Sequence, residues 1–314
     1  MKTLIQNATI IYPGVTKKED ILIDQGIIKE IRPSIRMKGD AFFIDGSSLY
    51  VLPGFISGDE RGTTQGITTR VKSIRIREEQ MSDKNVDPLN DEEELFDYVY
   101  HVSLPRLTKQ AIEFLDKKRV KVIRVEDEDR NSGWQKIEWQ DFEQRILRSG
   151  LVADVDEKDY NSMSKLSIPI MLPYSRWSYP TRSRTIIRVT DLEKEGGWQR
   201  KWNRMDPVVM RSYWLDQSDM ILPKLEKDQE VERYLIRLSY VRSRLPAKLF
   251  GIFPMKGSIR VGADADLLLV GKESLRSNAG ASFQCKTMLK GRFVDTVNND
   301  GKFLYAHQTY AFAY

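Results

Sequence analysis

An α/β fold follows from three features of the sequence. Both ends of the chain alternate apolar and polar residues with the period of two that half-buried strands require. The middle contains an amphipathic helical pattern that runs directly into a compact apolar strand, the unit from which parallel α/β sheets are built. Further helical patterns, each followed by a short apolar run, repeat that arrangement toward the C-terminal third. With 314 residues the chain suffices for one large domain or two modest ones and buries a sizeable core.

The elements can be justified in order. "TLIQNATII" alternates from Thr3, and "EDILIDQGIIKEIRPSI" places two apolar runs on either side of Asp24-Gln25-Gly26, where glycine accepts the positive φ of a hairpin turn. "LYVLPGFI" ends in a Pro-Gly turn followed by another apolar pair, and the region reads as a small antiparallel sheet. An acidic, turn-rich connection from about Asp83 to Asp97 contains "DEEE", which reads as a solvated loop or helix start rather than a metal site. In "LPRLTKQAIEFLDKKRVKVIRVEDEDR", Leu107, Ile112 and Leu115 stand at helical spacing, Lys117 and Lys118 occupy the last turn, and "VKVIRV" is the strand.

"WQKIEWQDFEQRILRSGLV" then predicts an amphipathic helix closing at Gly150, while "KLSIPIML" and "SRTIIRVTDL" predict strands. "DQEVERYLIRLSYVRSRLPAKLFGI" is helical up to Leu245, with a boundary expected at Pro246. The end returns to β-patterning in "GSIRVGADADLLLVG" and "CKTMLKGRFVDTV".

Composition narrows function more than it defines it. The net charge of +5 is mild, and no apolar run approaches the roughly 18 residues of a membrane helix. No signal peptide is recognisable at "MKTLIQNATIIYPG", so a cytoplasmic location is expected, with no membrane association. The single Cys285 excludes an intramolecular disulfide framework and reads as a core residue rather than a nucleophile. Two histidines, His101 and His307, are few for zinc chemistry or general-base catalysis, because imidazole is the commonest group in both roles. Between Tyr174 and Trp214, seven Trp and Tyr residues interleave with nine Lys or Arg and four acids. That stretch either stacks on and neutralises a polyanion or packs Trp177, Trp198, Trp202 and Trp214 into a core or interface. The four acids and the modest charge favour packing, so nucleic acid is not the expected partner.

Two terminal sections carry a resemblance. "TLIQNATIIYPG…EDILIDQGIIKEI…IDGSSLYVLPGFI" at the front and "LPAKLFGIFPMKGSIRVGADADLLLV" at the back together resemble the amidohydrolase superfamily, most closely its cyclic-amide branch of dihydroorotases, hydantoinases and allantoinases. The resemblance implies a shortened TIM-like (β/α) barrel over residues 53–251 beside a small β-sandwich built from both chain ends, residues 1–52 and 252–314. About 200 residues remain for the barrel, against roughly 250 in a typical one. "GITT" at Gly66 to Thr69 resembles the family's second strand signal yet follows "PGFI" closely, so the loop and helix after the first barrel strand are expected to be deleted.

The same resemblance locates the missing chemistry. Matched without gaps, Asp59 and Arg61 stand where the family has two metal-binding histidines, with Glu60 between them. Arg124 stands where many relatives carry a carboxylated lysine, and Lys121, three residues away, belongs on the opposite strand face. Asp216 or Asp219 in "YWLDQSD" weakly matches the family's last catalytic aspartate. A guanidinium has no lone pair for a metal and stays protonated. The family zinc site is therefore expected to be absent, with no cofactor and no hydrolysis, and the chain to serve as a scaffold in a homo-oligomer or with another protein. The alternative is an atypical, metal-independent hydrolase of cyclic amide C–N bonds that uses Asp59, Glu60, Arg61, Arg124 and Asp216 as an acid and arginine constellation. The same residues would otherwise form ion pairs that plug a former site.

Overall fold

A computed structural model describes residues 2–58, 66–82, 97–126, 134, 144, 146–156, 159, 169–173, 185–189, 212–214, 225, 227–277, 284–297 and 303–305. Residues 172–173, 185–189, 212–214, 276–277, 295–297 and 303–305 are described as backbone only. Two sheets organise them.

The first sheet takes strands from both ends of the sequence. β1 (Lys2–Tyr12), β2 (Val15–Asp24), β3 (Ile27–Arg32), β4 (Phe42–Asp45) and β5 (Leu49–Pro53) precede the second sheet, and β14 (Leu267–Gly271), β15 (Lys286–Leu289), β16 (Arg292–Val297) and β17 (Phe303–Tyr305) follow it. Their order is β17-β16-β15-β14-β5-β1-β2-β3, with β4 also on β1. β2 and β3 form the expected hairpin about Gly26 and β1 pairs antiparallel with β2, but the region is not purely antiparallel: β4 and β5 both run parallel to β1, one along each half of that 11-residue strand. A bulge between Ile5 and Ala8 separates the halves. Asn7 there has φ 59, and its N–H donates to buried Asp20 at 2.7 Å, so the disrupted ladder keeps its partner. Gly46 of "IDG" lies against the bulge, where a Cβ would stand 2.7 Å from the Ala8 Cβ.

The second sheet is all parallel. β6 (Phe55–Ser57), β7 (Ile67–Arg75), β8 (Asp97–Leu104), β9 (Val122–Val125), β10 (Val152–Asp154), β11 (Ile170–Pro173), β12 (Thr185–Val189) and β13 (Ser212–Trp214) lie side by side in sequence order. All eight strands of a TIM-like barrel are therefore represented in a curled sheet, and the shortening falls on the connections. β6 pairs directly with β7 across residues 58–66, a span too short for a helical crossover, which needs a dozen or more residues.

Side-chain alternation gives this sheet two faces. Val102, Leu104, Ile123, Val125 and Ala153 point outward onto α2 (Lys109–Lys117), which buries Ala111, Ile112 and Leu115. Thr108 caps α2 by accepting from the Ala111 N–H at 3.1 Å. Val71, Val99, Val122, Val152 and Met171 point inward and close on Ala247, Leu249 and Phe250. Sixteen buried residues form the outer cluster, so a single crossover helix with its neighbours already supplies a substantial core.

The helix expected to stop at Pro246 does not stop there. α3 (Asp228–Ser239) passes into a π-helical turn (Tyr240–Arg244) and then α4 (Leu245–Leu249), whose first turn holds Pro246. Proline has no N–H to offer the preceding turn, and the ladder shifts so that the Leu245 N–H donates to the Tyr240 carbonyl five residues back. The π turn lies against both β6 and β13, the first and last strands of the curled sheet.

A single residue, Gly54, separates the two sheets. Its N–H donates to the Asp266 carbonyl at 2.8 Å, and a Cβ would lie 2.1 Å from the Thr68 hydroxyl, which is why "PGFI" needs glycine. Short α1 (Glu78–Ser82) and α5 (Lys272–Ser277) complete the described elements, and none of the described helices is long and apolar enough to cross a membrane.

Candidate functional site

Strand alternation determines what reaches the inner face of the parallel sheet. Val99, Val122 and Val152 form an apolar layer there, and two residues further along their strands stand His101, Arg124 and Asp154. Arg124 and Asp154 are register partners on β9 and β10 near the C-terminal ends, the end at which barrel folds carry their chemistry. Two residues beyond them come Glu126 and Asp156.

These groups form one polar cluster around the guanidinium of Arg124. Its Nε donates to Glu126, its Nη2 to Asp156 at 2.7 Å, and its Nη1 to Asp154 at 3.4 Å. The Arg124 side chain is 16% exposed and that of Asp154 is fully buried. Burial works against the arginine's charge, but Asp154 first, then Asp156 and Glu126, more than offset it and raise its pKa further. His101 Nε2 lies 3.2 Å from the same Asp154 Oδ2, and the Trp134 indole N–H donates to the Asp154 carbonyl at 2.9 Å.

The residues proposed from sequence separate accordingly. Arg124 is in the cluster. Asp59, Glu60, Arg61, Asp216 and Asp219 lie outside the described residues, as do His307, Trp177, Trp198, Trp202 and the acidic "DEEE" connection. Lys121 does not join Arg124: its ammonium donates to the Ser149 carbonyl, in keeping with the opposite face expected of it. Cys285 packs beside the cluster that joins α3 to the first sheet, and burial pushes its thiol up to about 12, which disfavours the thiolate.

Sequence reasoning missed Glu126, Asp154, Asp156 and His101. The signal was present in "RVED" and "VADVD", where alternate residues of two strand ends are charged on what becomes one face. It passed unread because an acid at a strand end ordinarily faces water.

Among the described residues, the donor set of this cluster does not fit a hydrolytic metal. Such a site needs about three spaced imidazoles or carboxylates and an open position for water. Here the three carboxylates already surround a guanidinium, and His101 is the single imidazole among the described residues. Among the described residues, the trio of donors whose ligand atoms come within 4.8 Å of one another is Asp97, Asp264 and Asp266, at the opposite ends of these strands. That trio holds an ammonium. Lys256, 7% exposed, contacts Asp97, Asp266 and, at 2.8 Å, Asp264, while Lys290 reaches Asp97 at 2.7 Å.

Comparison with known proteins agrees with this architecture. No protein-family model matches the chain. An L-hydantoinase from Paenarthrobacter aurescens is 37% identical over 78 residues, which is 25% of this chain and 16% of that enzyme. This chain therefore matches well under two thirds of that relative's length. Among solved structures, D-hydantoinase from Bacillus sp. AR9 superposes with a TM-score of 0.67 at 14% identity, covering 96% of each chain. Dihydropyrimidinase from Brevibacillus agri NCHU1002 gives 0.63 at 14% identity over 97% of this chain and 96% of its own. A beta-aspartyl dipeptidase from Fervidobacterium islandicum AW-1 gives 0.58 at 16% identity over 93% and 96%. The chain shares the fold of these proteins, here as a curled parallel sheet of eight strands beside a largely antiparallel sheet drawn from both ends of the sequence.

Proposed function

We propose that this chain is a hydantoinase-like amidohydrolase homologue that has exchanged its metal site for an internal ion-pair cluster and works as a non-catalytic scaffold. One observation carries the reading: Arg124, at the position that resembles the family's carboxylated lysine, is surrounded by Glu126, Asp154 and Asp156 on the inner face of the sheet. A guanidinium cannot deprotonate to free those carboxylates and offers no open position to water. The cluster therefore fills the mouth with fixed charge.

A scaffold must act through its surface. The direct step from β6 to β7 omits a helix, yet Phe55, Ile56, Ile67 and Val71 are buried within the chain, so a partner's contact surface lies elsewhere than on these strands. The assembly this reading expects is a homo-oligomer or a complex with a protein partner. Light scattering on the purified chain tests this, and a clean monomer with no partner counts against it.

The decisive experiment pairs metal content by mass spectrometry, on protein purified without a metal-affinity column, with assays against hydantoin, dihydroorotate and allantoin. Substoichiometric metal and no turnover are expected. Near-stoichiometric zinc with turnover would overturn the reading. His101 beside buried Asp154 favours one alternative, a metal-independent hydrolase of cyclic amide C–N bonds. Metal-free turnover abolished in His101→Gln would establish that alternative instead.

A further inference from the structure

Outside the inner-face cluster, a cavity of about 420 Å³ lies between the first sheet, α3 and the loop at 257–259. Small-molecule sites typically span roughly 300–1,000 Å³. Ile11, Pro53, Ile236, Tyr240 and Ile259 supply its apolar wall. Arg233, Arg237 and Arg244 also line it, and among the described residues no carboxylate does.

The arginines are placed by helix geometry. Arg233 and Arg237 are four residues apart on α3 and so share a face, a like-charge arrangement that costs an isolated helix a few tenths of a kcal/mol. Burial first, and then Arg233, hold the Arg237 guanidinium below its ordinary value, so positive charge is concentrated here at a cost. Arg244, at the end of the π turn, carries its guanidinium 5.1 Å from the Phe253 ring centre. Two of the helix's acids are engaged elsewhere: Glu232 accepts from the Thr16 hydroxyl at 3.0 Å, and Glu230 accepts from the Lys227 N–H at the helix start. The π turn itself fits the pattern, since such turns mark functional sites more often than chance allows.

We propose that this cavity binds a small organic anion with an apolar body, a carboxylate or sulfonate on an aromatic or short aliphatic frame. The head group pairs with Arg233, whose planar guanidinium fork matches carboxylate and sulfonate oxygens, and Arg237 adds positive charge beside it. The body lies against Ile11 of β1, Pro53 of β5, Ile236 of α3 and Ile259 of the loop before β14. An occupant therefore fastens the first sheet to the closing helix of the second. This inference does not depend on whether the inner-face cluster is inert.

The test uses two dyes with one skeleton, 8-anilinonaphthalene-1-sulfonate and the uncharged N-phenyl-1-naphthylamine, titrated into the full chain with fluorescence as the readout. The sulfonate is expected to bind saturably at one site per chain, about tenfold or more tighter than the neutral dye. Arg233→Glu, at an exposed residue, is expected to weaken the sulfonate about tenfold while leaving the unfolding midpoint unchanged. Ile236→Trp, which fills the wall, is expected to weaken both dyes. Equal affinity for the two dyes, or sulfonate binding untouched by Arg233→Glu and Ile236→Trp, would overturn the proposal.

Discussion

The two ends of the parallel strands carry the same device in different surroundings. At one end Lys256 is surrounded by Asp97, Asp264 and Asp266, and at the other Arg124 is surrounded by Glu126, Asp154 and Asp156. The lysine cluster joins residues far apart in sequence: Asp97 opens β8 of the second sheet, while Asp266 precedes β14 of the first. Asp266 also accepts the Lys290 N–H at 2.9 Å, and its carbonyl accepts the Gly54 N–H, so three segments meet at one carboxylate residue. The arginine cluster joins neighbouring strands, β9 and β10, with His101 of β8 beside Asp154. The first arrangement fastens sheets together. The second occupies the C-terminal ends of the strands, where barrel folds in general keep chemistry, and neighbouring strands would stay paired without it.

That contrast can be broken most sharply at Lys256. Replacing it with Met leaves three carboxylates with one remaining lysine contact, and the loss of a buried cation from such a site typically costs about 3–5 kcal/mol. Urea denaturation should show it as a large fall in midpoint. Arg124→Met is expected to cost less, about 2 kcal/mol, because Asp156 and the edge of the cluster reach solvent. If the two variants were equally destabilised, the distinction between fastener and plug would fail.

Gly54→Ala tests the strap between the sheets by a different route. Its Cβ would overlap the Thr68 side chain, and overpacking of this kind costs about 1–3 kcal/mol. A companion Thr68→Ala should recover part of that loss in the same denaturation experiment, and no recovery would place the strain elsewhere.

The pH dependence separates the clusters with the smallest perturbation. Burial opposes the Lys256 charge, but Asp266, Asp97 and Asp264 raise its pKa above the ordinary 10.5. Its contribution is fully present below that value and disappears as pH rises through the folded-state value. Tyr12, raised by burial and by its bond to Glu19, and Tyr234, raised by burial, lose stability over the same alkaline range. The Lys256→Met variant should therefore show a shallower alkaline decline than the parent, with the tyrosine part left. For Asp97, burial pushes upward, yet Lys256 and Lys290 prevail and hold it below the ordinary 3.8. Its contribution is present above that value and is lost as pH falls through the lower, folded-state value. An identical alkaline slope in parent and variant would remove Lys256 from the account.

Much of the framework was legible because each feature had a local cause. Gly26 at the hairpin, "IDG", "LPGFI" and the Thr108-capped helix are short-range statements, and a chain that must turn or approach closely at a point shows it in the residue at that point. Pro246 misled because proline forbids one hydrogen bond rather than a helix, and neighbouring packing let the ladder slip to a π turn. The parallel pairing of β4 and β5 with β1 was likewise beyond local signals, since pairing direction depends on connections that are remote in sequence.

The inner-face cluster divides in the same way. The sequence by itself determined that zinc ligands are scarce, that an arginine stands in "VKVIRV", and that acids alternate at two strand ends. Only the tertiary structure decided that those acids converge on that arginine rather than on water. Register places Arg124 opposite Asp154 across two strands, and the curl of the sheet turns both inward, where a charge must find its opposite or remain unsolvated.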